Sequence, residues 1–158
     1  MTPKHRIVMI GATGAVGGHA VRALVACDNV EQLTLLGRRK MDGDLGPTTE
    51  QHVVDVMDPS SYKTLLSGHD TAICTLGVGE SSKVSKETFV RVDKTTVLDF
   101  AKACQAAGIK HFELLGSVAS HPQSRSFYLR TKGELVEGLK ALNFKRLSIF
   151  QPSMILTP

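Results

Sequence analysis

Residues 6–18 read Arg6-Ile7-Val8-Met9-Ile10-Gly11-Ala12-Thr13-Gly14-Ala15-Val16-Gly17-Gly18. The apolar start of this stretch predicts a buried parallel strand that stops at Gly11, and the pattern over residues 15 to about 27 predicts a helix. Gly11 allows backbone angles that a Cβ forbids, Gly14 lets bare backbone approach a ligand, and Gly17 lets the helix pack close to the strand. The stretch therefore predicts a tight turn between a strand and a helix.

Such a turn predicts a binding site for the diphosphate of a dinucleotide. The first N–H groups of a helix have no partner within the helix and carry about half a positive charge, which favours a bound anion. A glycine-rich turn without a ligand is the alternative, but a strand before it and a helix after it favour the nucleotide site. The predicted cofactor contacts in this turn are Gly11, Thr13, Gly14, Ala15, Val16 and Gly17.

The composition of the chain is that of a globular domain. Its 158 residues are 42% hydrophobic and 22% charged, so we expect one domain over residues 1–158. No apolar run is long enough to span a membrane and the start lacks a signal-peptide pattern, so we expect a cytoplasmic protein without a membrane partner. Cys27, Cys74 and Cys104 lie in apolar contexts and are expected to be small core residues. The histidines include no His-x-x-x-His pair, so we expect no metal site.

Positive charge is concentrated at the end of the second predicted strand, residues 32–36. The net charge of the chain is +4, and Arg38, Arg39 and Lys40 directly follow Gly37. A nucleic-acid surface is usually more basic and carries aromatic residues, whereas aromatics make up 5% of this chain, so we expect no nucleic-acid partner. We interpret the excess charge as serving a small phosphorylated ligand.

The residues at this strand end also predict which dinucleotide is bound. NAD-binding proteins carry an acidic residue near this position, which holds the ribose 2′-hydroxyl. Arginine instead pairs with a 2′-phosphate through charge-assisted hydrogen bonds, whereas a carboxylate would repel that phosphate. We therefore predict NADP(H) as the cofactor, with Arg38 as the first discriminating residue and Arg39 as the second. An idle pair of surface arginines is the alternative.

Further predicted strands end in candidate cofactor contacts. These strands cover residues 51–56, 69–77, 112–115 and 146–150. Ligands bind outside the carboxyl ends of the strands in an open α/β sheet. The candidate cofactor contacts at these strand ends are therefore Asp55, Val56, Thr75, Leu76 and Gly77. Asp55 is expected near the adenine, and a plain strand-end turn residue is an equal alternative. The pattern as a whole predicts an α/β fold, a Rossmann-like doubly wound parallel sheet of about six strands with helices on both faces.

A long stretch of helical periodicity lies between the fourth and fifth predicted strands. Its apolar residues recur three or four positions apart over residues 85–107, which predicts one long helix packed on the core. Gly108 is predicted to close this helix in a left-handed cap.

A helix that begins near Phe127 is predicted to carry the chemistry. Tyr128 and Lys132 are four residues apart and share one helical face, and an ammonium beside a phenol helps that phenol to exchange a proton with a carbonyl oxygen. Ser117, on the loop after the fifth predicted strand, can donate a hydrogen bond to the same oxygen. A chance pair of an aromatic residue and a lysine is the alternative, but serine, tyrosine and lysine in this order after a dinucleotide turn favour a catalytic set.

Together these residues resemble the short-chain dehydrogenase/reductase superfamily in its atypical branch, and especially the Tat-interacting-protein-like oxidoreductases. The resemblance is carried by residues 11–17, 36–40, 68–70, 74–77, 89–93, 110–112, 114–115 and 128–134. It implies a Rossmann fold that binds NADPH, with Ser117, Tyr128 and Lys132 matching the catalytic serine, tyrosine and lysine of the family. Members often carry an asparagine on the long helix, and the matching position here is Asp93.

The leading hypothesis for function is an NADPH-dependent oxidoreductase that reduces a small-molecule carbonyl, with Tyr128 as proton donor and Lys132 also holding the nicotinamide ribose. The alternative is an NADP(H)-binding regulator that reports its cofactor state to a protein partner, because fold alone does not decide function. A sugar-nucleotide epimerase would need a sizeable further domain. No helical pattern follows residues 146–150, so we expect this chain to lack the segment that covers the substrate side.

Overall fold

A parallel β-sheet forms the centre of the structure, a computed structural model that describes residues 2–156. Its strands are β1 (His5–Ile10), β2 (Val30–Gly37), β3 (Thr49–Val53), β4 (Thr71–Cys74), β5 (His111–Leu115) and β6 (Arg146–Phe150). They lie in the order β3-β2-β1-β4-β5-β6, and every neighbouring pair is parallel. The strand order reverses between β1 and β4, so a crevice forms at the carboxyl ends of these two strands.

Helices cover both faces of this sheet. They are α1 (Ala15–Val25), α2 (Lys86–Val90), α3 (Thr96–Ala106) and α4 (Phe127–Ala141). Val21 of α1 packs with Met9 on one face, whereas Phe100 of α3 and Leu135 of α4 are buried on the other. The predicted doubly wound, Rossmann-like α/β fold is therefore confirmed. The outermost residues of the predicted domain, 1 and 158, lie outside the described residues.

The predicted long helix contains a wider turn near its middle. α2 passes into a π-helical segment, Arg91–Thr95, before α3 begins. Single π-turns inside helices frequently lie at functional sites, because the extra residue changes which side chains face inward. Gly108 follows α3 with a φ of +86°, so the predicted left-handed cap is confirmed.

The third strand differs from its prediction in position. The sequence pattern predicts a strand over residues 51–56, whereas β3 ends at Val53. Asp55 therefore lies in the following turn, where its carboxylate accepts a hydrogen bond of 2.9 Å from the Met57 backbone N–H. This contact is the strand-end turn role that was the alternative for Asp55. A short turn of 3₁₀-helix, Pro59–Ser61, comes next.

The cysteines do not share one environment. Cys74 and Cys104 are buried as predicted, and burial raises the pKa of the Cys74 thiol to about 12, so it stays protonated at neutral pH. The prediction of a core position is wrong for Cys27, which is exposed. The physical reason is that α1 ends at Val25, earlier than the sequence pattern predicts, so Cys27 lies in the turn that follows.

One part of the sheet has no helix over it among the described residues. On the α1 side, an apolar groove runs over β4, β5 and β6, and it includes Ile73, Leu115 and Phe150. Phe150 is 56% exposed there.

Gly17 and Gly18 provide a direct test of how closely α1 approaches β1. A Cβ on Gly17 would overlap the Gly11 carbonyl oxygen and lie 2.8 Å from Thr75 Oγ1, whereas the nearest atom to a Cβ on Gly18 is 3.8 Å away. We expect Gly17→Ala to lower the free energy of unfolding by roughly 1–3 kcal/mol through overpacking. The matched control Gly18→Ala should be neutral or stabilising by up to about 1 kcal/mol, because alanine favours the helix. Urea unfolding curves measure both, and equal midpoints for the two variants would contradict the close approach.

Candidate functional site

The glycine-rich turn joins β1 to α1 beside the carboxyl end of β4. Gly11 adopts a φ of +86°, in the left-handed region that favours glycine. Thr75 Oγ1 donates a hydrogen bond of 2.9 Å to the Gly11 carbonyl oxygen, which joins the turn to the end of β4. Gly14 is the N-cap of α1 and has no side chain to bond the free N–H groups of the first turn. Those N–H groups are available to an anion.

A cavity of about 280 Å³ opens on the β2 side of this turn. We call it the β2-side cavity. The predicted cofactor residues that line it are Gly11, Thr13, Arg38, Arg39, Val56 and Leu76. Leu36 and Val56 are buried in its wall, whereas the two arginines lie exposed at its edge. An apolar wall beside a positive edge suits a flat aromatic base that carries a phosphate nearby.

The basic run after β2 is electrostatically uncompensated. Arg38, Arg39 and Lys40 are exposed, and none of them takes part in an ion pair with another described residue. Like charges held close together raise the local positive potential and attract an anionic ligand. The edge of the β2-side cavity is therefore suited to a phosphate group.

A second cavity, of about 540 Å³, opens between the carboxyl ends of β4 and β5 and the start of α4. We call it the α4-side cavity. The predicted site residues that line it are Gly14, Ala15, Val16, Thr75, Leu76, Gly77, Tyr128 and Lys132. Leu76 lines both cavities, so the glycine turn and the end of β4 lie between them. The predicted diphosphate site, the strand ends and two of the three predicted catalytic residues are thereby brought together.

Lys132 is buried at the α4-side cavity and pairs with an acidic residue. Its side chain is 9% exposed, and Nζ donates a hydrogen bond of 2.7 Å to Asp93 Oδ1. The same ammonium lies 5.9 Å from the ring centroid of Tyr128 and 5.9 Å from that of Phe89. The sequence predicts an ammonium that acts on the phenol and holds the nicotinamide ribose, whereas the structure also places a carboxylate in direct contact with it. The influence of Lys132 on Tyr128 is therefore partly neutralised.

Asp93 is the site residue for which sequence reasoning found no partner. It lies in the π-helical segment, its side chain is 5% exposed, and its Oδ2 accepts a hydrogen bond of 3.0 Å from the Val78 backbone N–H. The carboxylate thus joins the loop after β4 to α4. A signal was present in the sequence, because Asp93 lies four residues after Phe89 on the buried face of a predicted helix. A carboxylate in that position requires a buried partner.

Ser117 and Gly17 do not line either cavity. Ser117 lies on the loop after β5, where its Oγ is 3.4 Å from the Val118 carbonyl oxygen, and the adjacent Gly116 lines the α4-side cavity. Of the predicted serine, tyrosine and lysine, only Tyr128 and Lys132 therefore line the α4-side cavity. Gly17 is buried against the turn, in agreement with its predicted packing role.

Comparison with known proteins identifies the family. Residues 11–145 match the model of a family described as NAD(P)H-binding. The chain belongs to this NAD(P)H-binding family. It is 34% identical over 152 residues to protein HTATIP2 of Rattus norvegicus, a match that covers 95% of this chain and 62% of the relative. The resemblance to the Tat-interacting-protein-like oxidoreductases is thus confirmed.

A second relative of this NAD(P)H-binding chain is the mitochondrial protein FMP52 of Meyerozyma guilliermondii. The two are 31% identical over 153 residues, which cover 96% of this chain and 65% of the relative. The chain thus spans between 62% and 66% of the length of the curated relatives it matches. Because fungal relatives are named as mitochondrial, the cytoplasmic location remains a prediction.

Solved structures share the fold of this NAD(P)H-binding chain. MoeE5 in complex with UDP-glucuronic acid and NAD superposes with a TM-score of 0.78 at 16% identity, over 92% of this chain and 54% of MoeE5. The oxidoreductase ylbE from Lactococcus lactis gives a TM-score of 0.75 at 24% identity, over 93% of this chain and 68% of ylbE. At these identities the likeness establishes the Rossmann-like fold.

Residues 2–156 of the NAD(P)H-binding chain contain neither a membrane-spanning helix nor a cluster of metal-binding side chains. In this range, no helix is both long enough and apolar enough to cross a bilayer. Over the same residues, histidine, cysteine, aspartate and glutamate side chains form no group of three that could hold a metal ion.

Proposed function

We propose that this chain binds NADP(H) and reduces a carbonyl group of a small molecule by hydride transfer, with Tyr128 as the proton donor. The observation that carries the proposal is that Tyr128 and Lys132 line the same cavity as the glycine turn and the end of β4. A catalytic tyrosine must lie where the reactive ring of a dinucleotide can reach, and the crevice between β1 and β4 meets that requirement.

The residues present fit a dinucleotide. The glycine turn leaves the N–H groups of α1 free for a diphosphate, and the uncompensated arginines beside the β2-side cavity suit a 2′-phosphate. NADPH supplies a hydride when it is bound. Tyr128 lines the α4-side cavity and is 36% exposed, which is consistent with contact between its side chain and a substrate. Tyr128 donates the proton to that oxygen as the carbonyl is reduced.

Lys132 has a positioning role in this proposal. An ammonium has three N–H donors, and one of them is used by Asp93. The remaining donors are available to the hydroxyl groups of the nicotinamide ribose. Ser117 is proposed as a second donor to the substrate oxygen, from the loop adjacent to Gly116. The role of Lys132 requires the nicotinamide half of the cofactor to occupy the α4-side cavity, and the role of Ser117 requires the substrate to lie there.

The direct test of the proposal is to incubate the protein with NADPH and a panel of aldehydes, ketones and quinones. Oxidation of NADPH is monitored as loss of the absorbance of the reduced nicotinamide. We expect consumption of NADPH that depends on one class of carbonyl and yields the alcohol in equal amount. Tight binding of NADPH without oxidation by any member of the panel would contradict the proposed reaction.

A second candidate function is an NADP(H)-binding regulator that communicates with a protein partner. Two observations favour it, namely the engagement of the Lys132 ammonium by Asp93 and the absence of Ser117 from the lining of the α4-side cavity. A regulator needs tight cofactor binding but no proton donor. The carbonyl panel separates the two candidates, because only the enzyme oxidises NADPH.

The proposed preference for NADP(H) makes a prediction about Arg38. Arg38→Asp should weaken NADPH binding by about ten- to a hundredfold, because a charge-assisted hydrogen bond contributes about 1.5–3 kcal/mol and the new carboxylate repels the 2′-phosphate. NADH binding should change by less than about threefold, since NADH has no 2′-phosphate. Isothermal titration calorimetry with both cofactors measures the difference. Equal losses for NADPH and NADH would assign Arg38 a role in general stability instead.

A further inference from the structure

The segment that carries the uncompensated arginines is hydrogen-bonded at one end to Val54, the residue directly after β3, and at the other end to Gln51 of β3. We call residues 38–40 the basic loop. Before it, the Gly37 carbonyl oxygen accepts a hydrogen bond of 2.9 Å from the Val54 backbone N–H. After it, the Met41 backbone N–H donates a hydrogen bond of 2.7 Å to Gln51 Oε1, and Gln51 Nε2 donates one of 3.3 Å to the Met41 carbonyl oxygen. The amide of Gln51 thus satisfies both backbone groups of Met41.

Packing holds the same end of the basic loop. The Met41 side chain is partly buried against the core cluster under α1, and its Cε lies 4.0 Å from where a Cβ on Gly18 would be. Gln51 is paired with Leu35 in the β2–β3 ladder, so its backbone position is fixed by the sheet. The amide therefore connects a rigid strand to the end of an exposed loop.

The position of this connection relates it to ligand binding. Gln51 and Met41 line the β2-side cavity together with Arg38 and Arg39. Binding is tighter when the backbone that carries the arginines is already held in place, because less of the chain has to be ordered when the ligand binds. Backbone groups bonded by a side-chain amide are less free to move than groups that are bonded to water.

We propose that Gln51 is a positioning residue for 2′-phosphate selectivity, which holds the basic loop so that Arg38 and Arg39 face the β2-side cavity. The inference rests on the proposed preference for NADP(H), and it adds a residue that does not itself touch the phosphate. A positioning role of Gln51 differs measurably from a purely structural role, because it alters the binding of NADP(H) more than the binding of NAD(H).

The test compares Gln51→Met with the wild-type chain by calorimetry, using NADP⁺ and NAD⁺ as ligands and 2′-AMP and 5′-AMP as probes of the adenosine half. Methionine keeps the length of the side chain and removes both hydrogen bonds to Met41. We expect the affinity for NADP⁺ and 2′-AMP to fall about tenfold, with less than a twofold change for NAD⁺ and 5′-AMP. Gln32→Met is the matched control, since Gln32 lies near the amino end of β2 and bonds Thr34 Oγ1 instead of the basic loop.

A variant cycle with Arg38→Ala/Arg39→Ala completes the test. If Gln51 acts through the two arginines, then Gln51→Met should change the NADP⁺ affinity of the Arg38→Ala/Arg39→Ala chain by less than about threefold. The affinities for NADP⁺ and NAD⁺ are measured on one preparation of each variant, so partial unfolding of a variant cancels from their ratio. Equal losses for NADP⁺ and NAD⁺, or full additivity with Arg38→Ala/Arg39→Ala, would overturn the inference while leaving the NADP(H) preference intact. Equal affinity of the wild-type chain for the two cofactors would instead remove that preference, and this inference with it.

Discussion

Replacing Tyr128 with phenylalanine is expected to lower NADPH-dependent turnover by about 10²–10⁴-fold, the usual contribution of a positioned general acid. The change removes only the hydroxyl. The ring keeps its contact with Phe89, whose centroid lies 5.3 Å away, so the local packing is preserved. NADPH affinity should stay within about twofold, because in the proposed reaction the hydroxyl contacts the substrate and not the cofactor. Steady-state assays and calorimetry on the same preparation measure the two quantities.

The other tyrosine of the chain supplies the matched control. Tyr62 is fully buried, burial raises its pKa, and its hydroxyl has no hydrogen-bond partner within residues 2–156. Tyr62→Phe should therefore leave turnover unchanged and should not lower stability. If Tyr128→Phe retained turnover, another group would have to supply the proton. If it lost NADPH affinity more than about tenfold, Tyr128 would instead be a cofactor-binding residue.

Replacing Asp93 with alanine is expected to lower the free energy of unfolding by about 3–5 kcal/mol, the usual effect of removing one partner of a buried ion pair. The variant would leave the Lys132 ammonium, 9% exposed, without its carboxylate. It would also leave the Val78 backbone N–H without its acceptor. Urea unfolding at neutral pH, followed by circular dichroism, measures the loss.

Two further variants decide whether burial of the ion pair is the cause. Glu137 pairs with Lys140 on the surface of α4, with exposed fractions of 55% and 60%, so Glu137→Ala should cost less than about 1 kcal/mol. The double variant Asp93→Leu/Lys132→Met removes both charges and should be more stable than Asp93→Ala, because no unpaired charge remains buried. An Asp93→Ala variant no less stable than Glu137→Ala would show that the pair does not hold α4 to the loop after β4.

The contacts of Asp93 connect this stability to the proposed chemistry. Its carboxylate accepts hydrogen bonds from the Lys132 ammonium of α4 and from the Val78 backbone N–H. Val78 directly follows Gly77, which lines the α4-side cavity. Loss of the carboxylate would free both the ammonium and the loop. The same residue therefore stabilises the fold and orients a group of the candidate site, from within a π-helical turn.

Local patterns gave accurate predictions where neighbouring residues decide the structure. The strand, the turn at Gly11 and the start of α1 follow from apolar periodicity and from a glycine with positive φ. The basic run at Arg38 and the shared helical face of Tyr128 and Lys132 are likewise properties of short segments of the chain. Each depends on a few residues that are adjacent in the chain.

Predictions failed where the end of an element depends on distant contacts. β3 stops at Val53 because its partner β2 ends at Gly37, and no periodicity within residues 51–56 reports the length of a neighbouring strand. The exposed position of Cys27 follows from the early end of α1. For Ser117, the chain order does not show whether the loop after β5 brings the side chain into the lining of the α4-side cavity; the structure places it outside that lining, and its catalytic role stays a prediction.

The sequence by itself determined the doubly wound sheet, the glycine turn and which side chains are suited to bind a dinucleotide, because backbone angles and strand or helix periodicity are properties of short segments. Only the tertiary structure decided which groups neutralise or hold those side chains. Lys132 meets Asp93 across 39 positions of sequence, and Gln51 meets Met41 across 10. Such pairings form when separate elements pack together, and they are set by the distance between the elements and by the need of each buried polar group for a partner.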